Sequence, residues 1–124
     1  MGSYKVLCID DEQSILKSLK RCLAQKNFNA VLAEGALEGL RILSEQKDNI
    51  GLIIVDLRMP RMNGIDFLHE ARKAFGSIPA IILSGYMDAD PLKQVFQDIG
   101  RIRFVSKPWV NEELLELAQD MIKK

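Results

Sequence analysis

The stretch Leu52-Ile53-Ile54-Val55-Asp56 is a short apolar run that ends at a carboxylate. Four further short, mainly apolar runs are spaced along the chain, and none alternates regularly with polar residues. Runs of this kind are typical of strands that are buried on both faces, as in a parallel sheet covered by helices. The predicted strands are 6–9, 30–33, 52–55, 80–83 and 102–105.

Segments with helical periodicity separate these runs. Two of them place apolar residues three and four positions apart, so each forms the apolar stripe of an amphipathic helix. The stripes consist of Ile15, Leu16, Leu19 and Leu23, and of Ala36, Leu37, Leu40 and Leu43. Three more helices are predicted, at 63–74, at 89–98 and from Asn111 to the C-terminus, with Asn111 as the N-cap of the last.

This alternation of strands and helices predicts one fold class. Five βα units in 124 residues give an α/β, doubly wound, five-stranded parallel sheet, (βα)5, because right-handed crossovers permit few topologies. We expect the flavodoxin-like strand order 2-1-3-4-5. The length fits a single domain over residues 1–124, in which residues 1–3 are interpreted as a remnant of cloning.

Composition and charge exclude several classes of function. The 17 basic and 17 acidic residues cancel, so no overall field draws the protein to nucleic acid or to an anionic membrane. The apolar runs are far shorter than the roughly 20 residues that span a bilayer, and the N-terminus has no secretory pattern. Cys8 and Cys22 lack metal-ligand spacing and are interpreted as small buried residues in a reducing compartment. We therefore expect a cytoplasmic protein with no membrane contact and no direct nucleic-acid binding.

Polar residues of chemically useful types occur where the predicted strands end. Asp10 and Asp11 follow the first strand, Asp56 the third, Ser84 the fourth and Lys107 the fifth. In an open α/β sheet the carboxyl ends of the strands form the ligand crevice, at the point where the strand order reverses. The sequence therefore predicts that these five side chains share one site.

Asp10, Asp11 and Asp56 are predicted to converge, because the first and third strands would be neighbours about 4.8 Å apart. Clustered carboxylates repel one another, and a hard divalent cation offsets that repulsion. Mg²⁺ fits best, since it keeps several waters and needs only one or two carboxylates plus a phosphate. For any one aspartate alone, a helix cap or a turn residue is the better explanation, and only the combination favours a metal site.

Asp56 is the best candidate for a nucleophile. A carboxylate can attack phosphorus and form an aspartyl phosphate when the charge on the transferring group is neutralised. Lys107 would supply a cation to the phosphate oxygens and Ser84 a hydroxyl donor. Alternatively, Lys107 is a solvated surface lysine and Ser84 is an ordinary turn residue.

At these residues the chain resembles response-regulator receiver domains, from about Tyr4 to Lys123. Each motif alone is weak, but together they are highly specific. The motifs are Ile9-Asp10-Asp11-Glu12, Asp56-Leu57-Arg58-Met59-Pro60 with Met62-Asn63-Gly64, Leu83-Ser84-Gly85, and Phe104-Val105-Ser106-Lys107-Pro108-Trp109.

The resemblance implies a ligand set and partners. Asp56 would be the phosphoacceptor for a sensor histidine kinase or a phosphotransfer protein. Asp11, Asp56 and the backbone carbonyl of Arg58 would bind Mg²⁺ directly, and Asp10 would act through water. The domain would regulate a fused or separate output domain, with a homodimer as a further possibility. It would be a regulatory domain that catalyses only its own phosphorylation and dephosphorylation.

Further expectations concern the surroundings of the site. The resemblance implies that Ser84 and Phe104 form a coupled switch, with an ordinary core aromatic as the alternative interpretation of Phe104. It also implies that the Lys107–Pro108 peptide bond is often cis. Arg58 and Tyr86 occupy positions that, in this family, tune the hydrolysis of the aspartyl phosphate. Gly64 is expected to permit a positive φ in the loop after Asp56. His69 is expected to lie on a helix away from the site.

Two rival functions remain open from the sequence. A Mg²⁺-dependent phosphatase with an aspartyl nucleophile would commonly carry a second aspartate two residues later, where this chain has Arg58. A phosphate-independent interaction module of the same fold would typically have lost the acidic pair, the acceptor or the lysine. All of these are present here.

Overall fold

The computed structural model describes residues 4–85 and 101–123. Within those ranges there are five strands, four α-helices and one short 3₁₀ turn at Lys47–Asn49. The strands are β1 (Lys5–Ile9), β2 (Asn29–Ala33), β3 (Ile50–Asp56), β4 (Ala80–Ser84) and β5 (Ile102–Ser106). The helices are α1 (Gln13–Ala24), α2 (Ala36–Gln46), α3 (Gly64–Phe75) and α4 (Asn111–Met121). The helix predicted at 89–98 lies outside the described residues.

The strands form one sheet in the order β2-β1-β3-β4-β5, and every pair of neighbours is parallel. The predicted fold class, a doubly wound flavodoxin-like sheet, is therefore confirmed. The order reverses between β1 and β3, and their carboxyl ends are aligned because Ile9 pairs with Val55. Residues that follow these two strands are consequently brought side by side.

Two hydrophobic layers cover the two faces of the sheet. One layer joins the sheet to α2 and α3, and the other joins it to α1 and α4. All seven residues of β3 are buried, and they alternate between the layers: Ile53 and Val55 belong to the first, Leu52 and Ile54 to the second. This burial on both faces explains why the sequence of β3 is an uninterrupted apolar run before Asp56.

The predicted apolar stripe of α2 is wrong at Leu37, whose exposed fraction is 62%. The buried residues of this helix are Ala36, Gly39, Ile42 and Leu43, and Leu40 is half-buried. A Cβ on Gly39 would lie only 2.7 Å from Ile9 Cδ1 and 3.0 Å from Phe67 Cε1, so the helix approaches its neighbours closely along the glycine. This close approach fixes the rotation of α2 and turns Leu37 outward.

The N-cap prediction for α4 is also wrong. Val110 occupies the N-cap position without a side-chain cap, and Asn111 is the first helical residue. The Asn111 side chain instead accepts a hydrogen bond from the indole N–H of Trp109 at 2.9 Å. The apolar side of this helix faces the core, since Leu114, Leu115, Ala118 and Met121 are buried.

The other helix boundary near the site agrees with the sequence. Asn63 precedes α3, and its side chain accepts a hydrogen bond from the backbone N–H of Asp66 at 2.8 Å, as an N-cap does. His69 lies on this helix, as predicted, and is exposed. None of the helices within the described ranges is both long and apolar enough to span a membrane.

Candidate functional site

Three carboxylates meet where β1 and β3 end. Asp10 and Asp11 directly follow β1. Asp56 was predicted to follow β3, but it is the last residue of that strand. One oxygen from each of the three lies within 4.8 Å of the others. The structure thus brings together the acidic residues that the sequence grouped.

Lys107 joins this cluster from β5. Its Nζ lies 3.0 Å from Asp56 Oδ1 and 3.2 Å from Asp10 Oδ2, and its side chain is only 19% exposed. The Lys107 backbone N–H also donates to the Ser84 carbonyl at 2.9 Å, which fixes the residue beside the end of β4. The Lys107–Pro108 peptide bond is cis. Lys107 is therefore a partly buried ion-pair partner and not a solvated surface lysine.

The three carboxylates differ in burial. Asp10 is fully buried and Asp56 is nearly so, whereas Asp11 is exposed. Burial raises the pKa of Asp10, and the negative charge of Asp56 adds to the rise, while the Glu12 amide and Lys107 oppose it. Burial alone would lower the pKa of Lys107, but its hydrogen bond to Asp56 and the charge of Asp10 outweigh burial and raise it. The site therefore favours a protonated Lys107 and has a surplus of negative charge.

Backbone contacts shape the two loops that carry the aspartates. Asp10 Oδ1 accepts a hydrogen bond from the Glu12 backbone N–H at 2.9 Å, which closes a turn around Asp11. Sequence reasoning did not single out this contact, although an aspartate before a helix is a known signal for such a turn. It leaves Asp10 Oδ2 facing Lys107.

Gly64 supports the end of β3 in a way the sequence did not predict. Its φ is not positive, so the expected role in a left-handed turn is wrong. A Cβ at this position would lie 2.5 Å from the Asp56 carbonyl oxygen, and the Gly64 N–H donates to the Leu57 carbonyl at 3.0 Å. Glycine is required here because the start of α3 contacts the backbone at the phosphoacceptor candidate.

The remaining candidate residues lie as follows. Ser84 is buried at the end of β4, one residue after Leu83, whose Cα pairs with Asp56. Phe104 is half-buried in β5 and packs against the layer that contains α2 and α3. Arg58 is exposed in the loop after β3. Tyr86 lies outside the described residues.

The donor set suits a hard divalent cation. Carboxylate oxygens are ligands that Mg²⁺ prefers, and the exposed Asp11 leaves room for water on the solvent side. The cysteines take no part: Cys8 and Cys22 are free and buried in the layer with α1 and α4, as predicted. Burial raises the pKa of both thiols, with the neighbouring Cys22 adding to the rise at Cys8.

Fold and site together define a flavodoxin-like α/β protein with an acidic, lysine-paired site at the carboxyl ends of its parallel strands. Comparison with known proteins narrows this class. The sequence-family model of the response regulator receiver domain matches residues 6–119. The chain belongs to the response regulator receiver domain family of two-component systems.

Individual relatives agree with this assignment. The chain is 30% identical over 118 residues to the hydrogenase transcriptional regulatory protein HoxA of Cupriavidus necator, covering 95% of this chain and 24% of that protein. It is 31% identical over 119 residues to the transcriptional regulatory protein GlrR of Escherichia coli K12, covering 96% and 26%. The chain therefore spans about a quarter of the length of these two relatives.

A solved structure matches over nearly the whole chain. The receiver domain protein from Clostridium thermocellum has a TM-score of 0.87 and 32% sequence identity, covering 96% of this chain and 94% of that one. Receiver domains of this family generally use Mg²⁺ and act with kinases.

Proposed function

We propose that this chain is a phosphoacceptor module that takes a phosphoryl group onto Asp56 in a Mg²⁺-dependent reaction. The observation that carries the proposal is the position of Lys107, whose ammonium bridges Asp10 and Asp56 inside the acidic cluster. An ammonium at this place can neutralise charge on a phosphoryl group that approaches Asp56. The donor would be a sensor histidine kinase or a phosphotransfer protein.

Asp11, Asp56 and the backbone carbonyl of Arg58 would hold Mg²⁺ directly, with Asp10 acting through water. The ion, when bound, would supply positive charge to the oxygens of the transferring phosphoryl group. An oxygen of Asp56 forms the new bond to phosphorus while the phosphorus–nitrogen bond of the donor histidine breaks. Lys107 contributes its charge, and the Ser84 hydroxyl donates a hydrogen bond to another phosphoryl oxygen.

The experiment that tests this function is incubation with Mg²⁺ and a small phosphodonor, followed by mass measurement of the intact protein. We expect one acid-stable, base-labile phosphoryl adduct on the wild type and none on Asp56→Asn. Asp66→Asn, which removes an exposed carboxylate from α3, is the matched control and should be modified normally. An adduct that persists in Asp56→Asn, or no adduct on the wild type, would contradict the proposal.

We also propose that Ser84 and Phe104 couple phosphorylation to a change of packing. Ser84 ends β4, and Phe104 lies on the adjacent β5, where it pairs with Ile82. Its half-buried position against the core supports a second, more buried arrangement of the ring. A crystal structure of the protein with a beryllofluoride adduct on Asp56 should contain a rotated Phe104 side chain, and an unchanged rotamer would refute the coupling.

The role in the cell that we propose is regulatory. The chain forms a single cytoplasmic receiver domain that controls a fused or separate output domain, catalyses only its own phosphorylation and dephosphorylation, and binds neither nucleic acid nor membrane directly. The phosphatase alternative is less well supported, because the exposed Arg58 occupies the place where a general acid would be needed. Turnover of small phosphate esters would favour that alternative, and adduct formation without turnover would favour ours.

A further inference from the structure

The loop that carries Asp10 and Asp11 is held at its two ends by two consecutive residues, Ala33 and Glu34. At its start, the backbone N–H of Asp10 donates to the carbonyl of Ala33, the last residue of β2, at 3.1 Å. At its end, the side-chain amide of Gln13 donates to Oε1 of Glu34 at 2.6 Å. Because Ala33 and Glu34 are consecutive, the loop is an arch held at both ends by one short segment.

Asp11 is the carboxylate that depends most on this arch. Asp10 and Asp56 are held by burial and by Lys107. The Asp11 side chain is exposed, and within residues 4–85 and 101–123 it makes no hydrogen bond or ion pair. It lines the same cleft as Glu34, between the start of α2 and the loop after β3. Its position is therefore set by the backbone of the arch.

We propose that Gln13 and Glu34 are positioning residues for the metal site, and that their hydrogen bond holds Asp11 within reach of Asp10 and Asp56. The inference rests on the function proposed above, because it concerns the same Mg²⁺ site. When this bond is lost, the first turn of α1 can move relative to β2, and binding a cation must then also order the arch. Ordering a loop on binding lowers affinity, and outer contacts that orient metal ligands act in the same way.

A purely electrostatic role for Glu34 is the competing explanation. Glu34 and Glu38 both line the cleft with Asp11, so either carboxylate could attract a cation through its charge alone. Two substitutions distinguish these explanations. Glu34→Gln keeps the acceptor oxygen and removes the charge, whereas Glu34→Ala removes both. Gln13→Met removes the donor while nearly keeping the length of the side chain.

The test measures Mg²⁺ affinity without any phosphodonor. The unfolding temperature is recorded as a function of Mg²⁺ concentration, and the affinity is fitted from its rise. Fluorescence of Trp109, the single tryptophan, gives a second measurement close to Lys107. The variants are Gln13→Met, Glu34→Ala, Glu34→Gln and the double variant Gln13→Met with Glu34→Ala. Glu38→Gln is the control for loss of charge in the same cleft. All these side chains lie on the surface, so the variants should fold.

We expect Gln13→Met and Glu34→Ala each to weaken Mg²⁺ binding by about threefold to tenfold, the effect of one lost hydrogen bond. The double variant should bind no more weakly than either single one, because both remove the same contact. Glu34→Gln and Glu38→Gln should stay within about twofold of the wild type, since the contact survives and screened surface charges contribute little.

Three results would overturn the inference alone while the wild type still binds Mg²⁺. These are a Glu34→Gln variant as weak as Glu34→Ala, additive losses in the double variant, and affinities that do not differ among the variants. A wild type that binds no Mg²⁺ would instead overturn the proposed function, and this inference with it.

Discussion

The Nζ of Lys107 lies 3.2 Å from Oδ2 of Asp10, a fully buried carboxylate 97 positions earlier in the chain. The same ammonium also pairs with Asp56, so one cation is shared by two carboxylates. In the absence of a divalent ion, the interior of the site therefore has one negative charge in excess. This imbalance has consequences for stability that can be measured.

Asp10→Asn should stabilise the metal-free protein by about 1 kcal/mol. The substitution leaves Lys107 paired with Asp56 and removes the charge whose burial is unfavourable, as the raised pKa of Asp10 indicates. Urea unfolding at neutral pH in the presence of a chelator measures this. Asp48→Asn, at an exposed position, is the control and should change stability little. A destabilised Asp10→Asn would show that the Lys107 pair outweighs the burial of Asp10.

Lys107→Met should destabilise the metal-free protein by about 3 kcal/mol. It leaves two largely buried carboxylates without a cation, which is costly unless one of them takes up a proton. Because Mg²⁺ can supply the missing charge, the loss should shrink when the ion is added. Urea unfolding with chelator and with Mg²⁺ tests both statements. Lys73→Met removes a lysine that is 80% exposed and should be nearly neutral. A loss that Mg²⁺ does not reduce would contradict the argument.

Gly64→Ala should destabilise the protein by about 2 kcal/mol and slow phosphorylation of Asp56. Alanine favours helices by about 1 kcal/mol over glycine, but here its Cβ would press against the Asp56 carbonyl. Thermal unfolding and the rate of adduct formation are the measurements. The control is Gly35→Ser, where an added Cβ meets nothing within 4 Å and a serine suits the N-cap of α2. If both variants were equally stable, close contact at Gly64 would be excluded.

Stability should fall above pH 9 partly because of Cys8. Burial and the neighbouring Cys22 raise the pKa of the Cys8 thiol above its usual value of 9.0. The folded protein therefore holds this proton more tightly than the unfolded chain. The contribution of the thiol to the free energy of unfolding is complete below pH 9 and is lost as the pH rises further.

Cys8→Ala should reduce this loss by up to about 1.4 kcal/mol for the pH unit above 9. Denaturant unfolding under reducing conditions, repeated across that range, gives the slopes to compare. The slope is the relevant quantity, since the smaller side chain also lowers stability at every pH by leaving a cavity. Parallel curves for wild type and variant would refute the assignment.

The strands and most of the site could be predicted from the sequence, because both depend on local patterns. A strand buried on two faces must be apolar throughout, and residues that follow parallel strands must meet at one edge. Asp10, Asp11, Asp56 and Lys107 were found in this way, and the structure brings them together.

Most of the failures concern contacts between elements. The rotation of α2 depends on how closely Gly39 approaches Ile9 and Phe67, so the exposure of Leu37 was not predicted. The error at Asn111 is a local one: it has the residue type of a helix cap, but its side chain accepts a hydrogen bond from the indole N–H of Trp109, two residues earlier. The Gln13–Glu34 contact joins residues 21 positions apart, and no local periodicity reveals it.

The alternation of β3 between the two layers gives Asp56 an unusual mechanical position. Ile53 and Val55 face one half of the interior, and Leu52 and Ile54 face the other. Because packed interiors resist compression, a small displacement at the end of this strand shifts the packing of helices on both faces of the sheet. The phosphorylation that we propose at Asp56 would therefore affect both faces of the molecule, and a partner would need no direct contact with Asp56 itself.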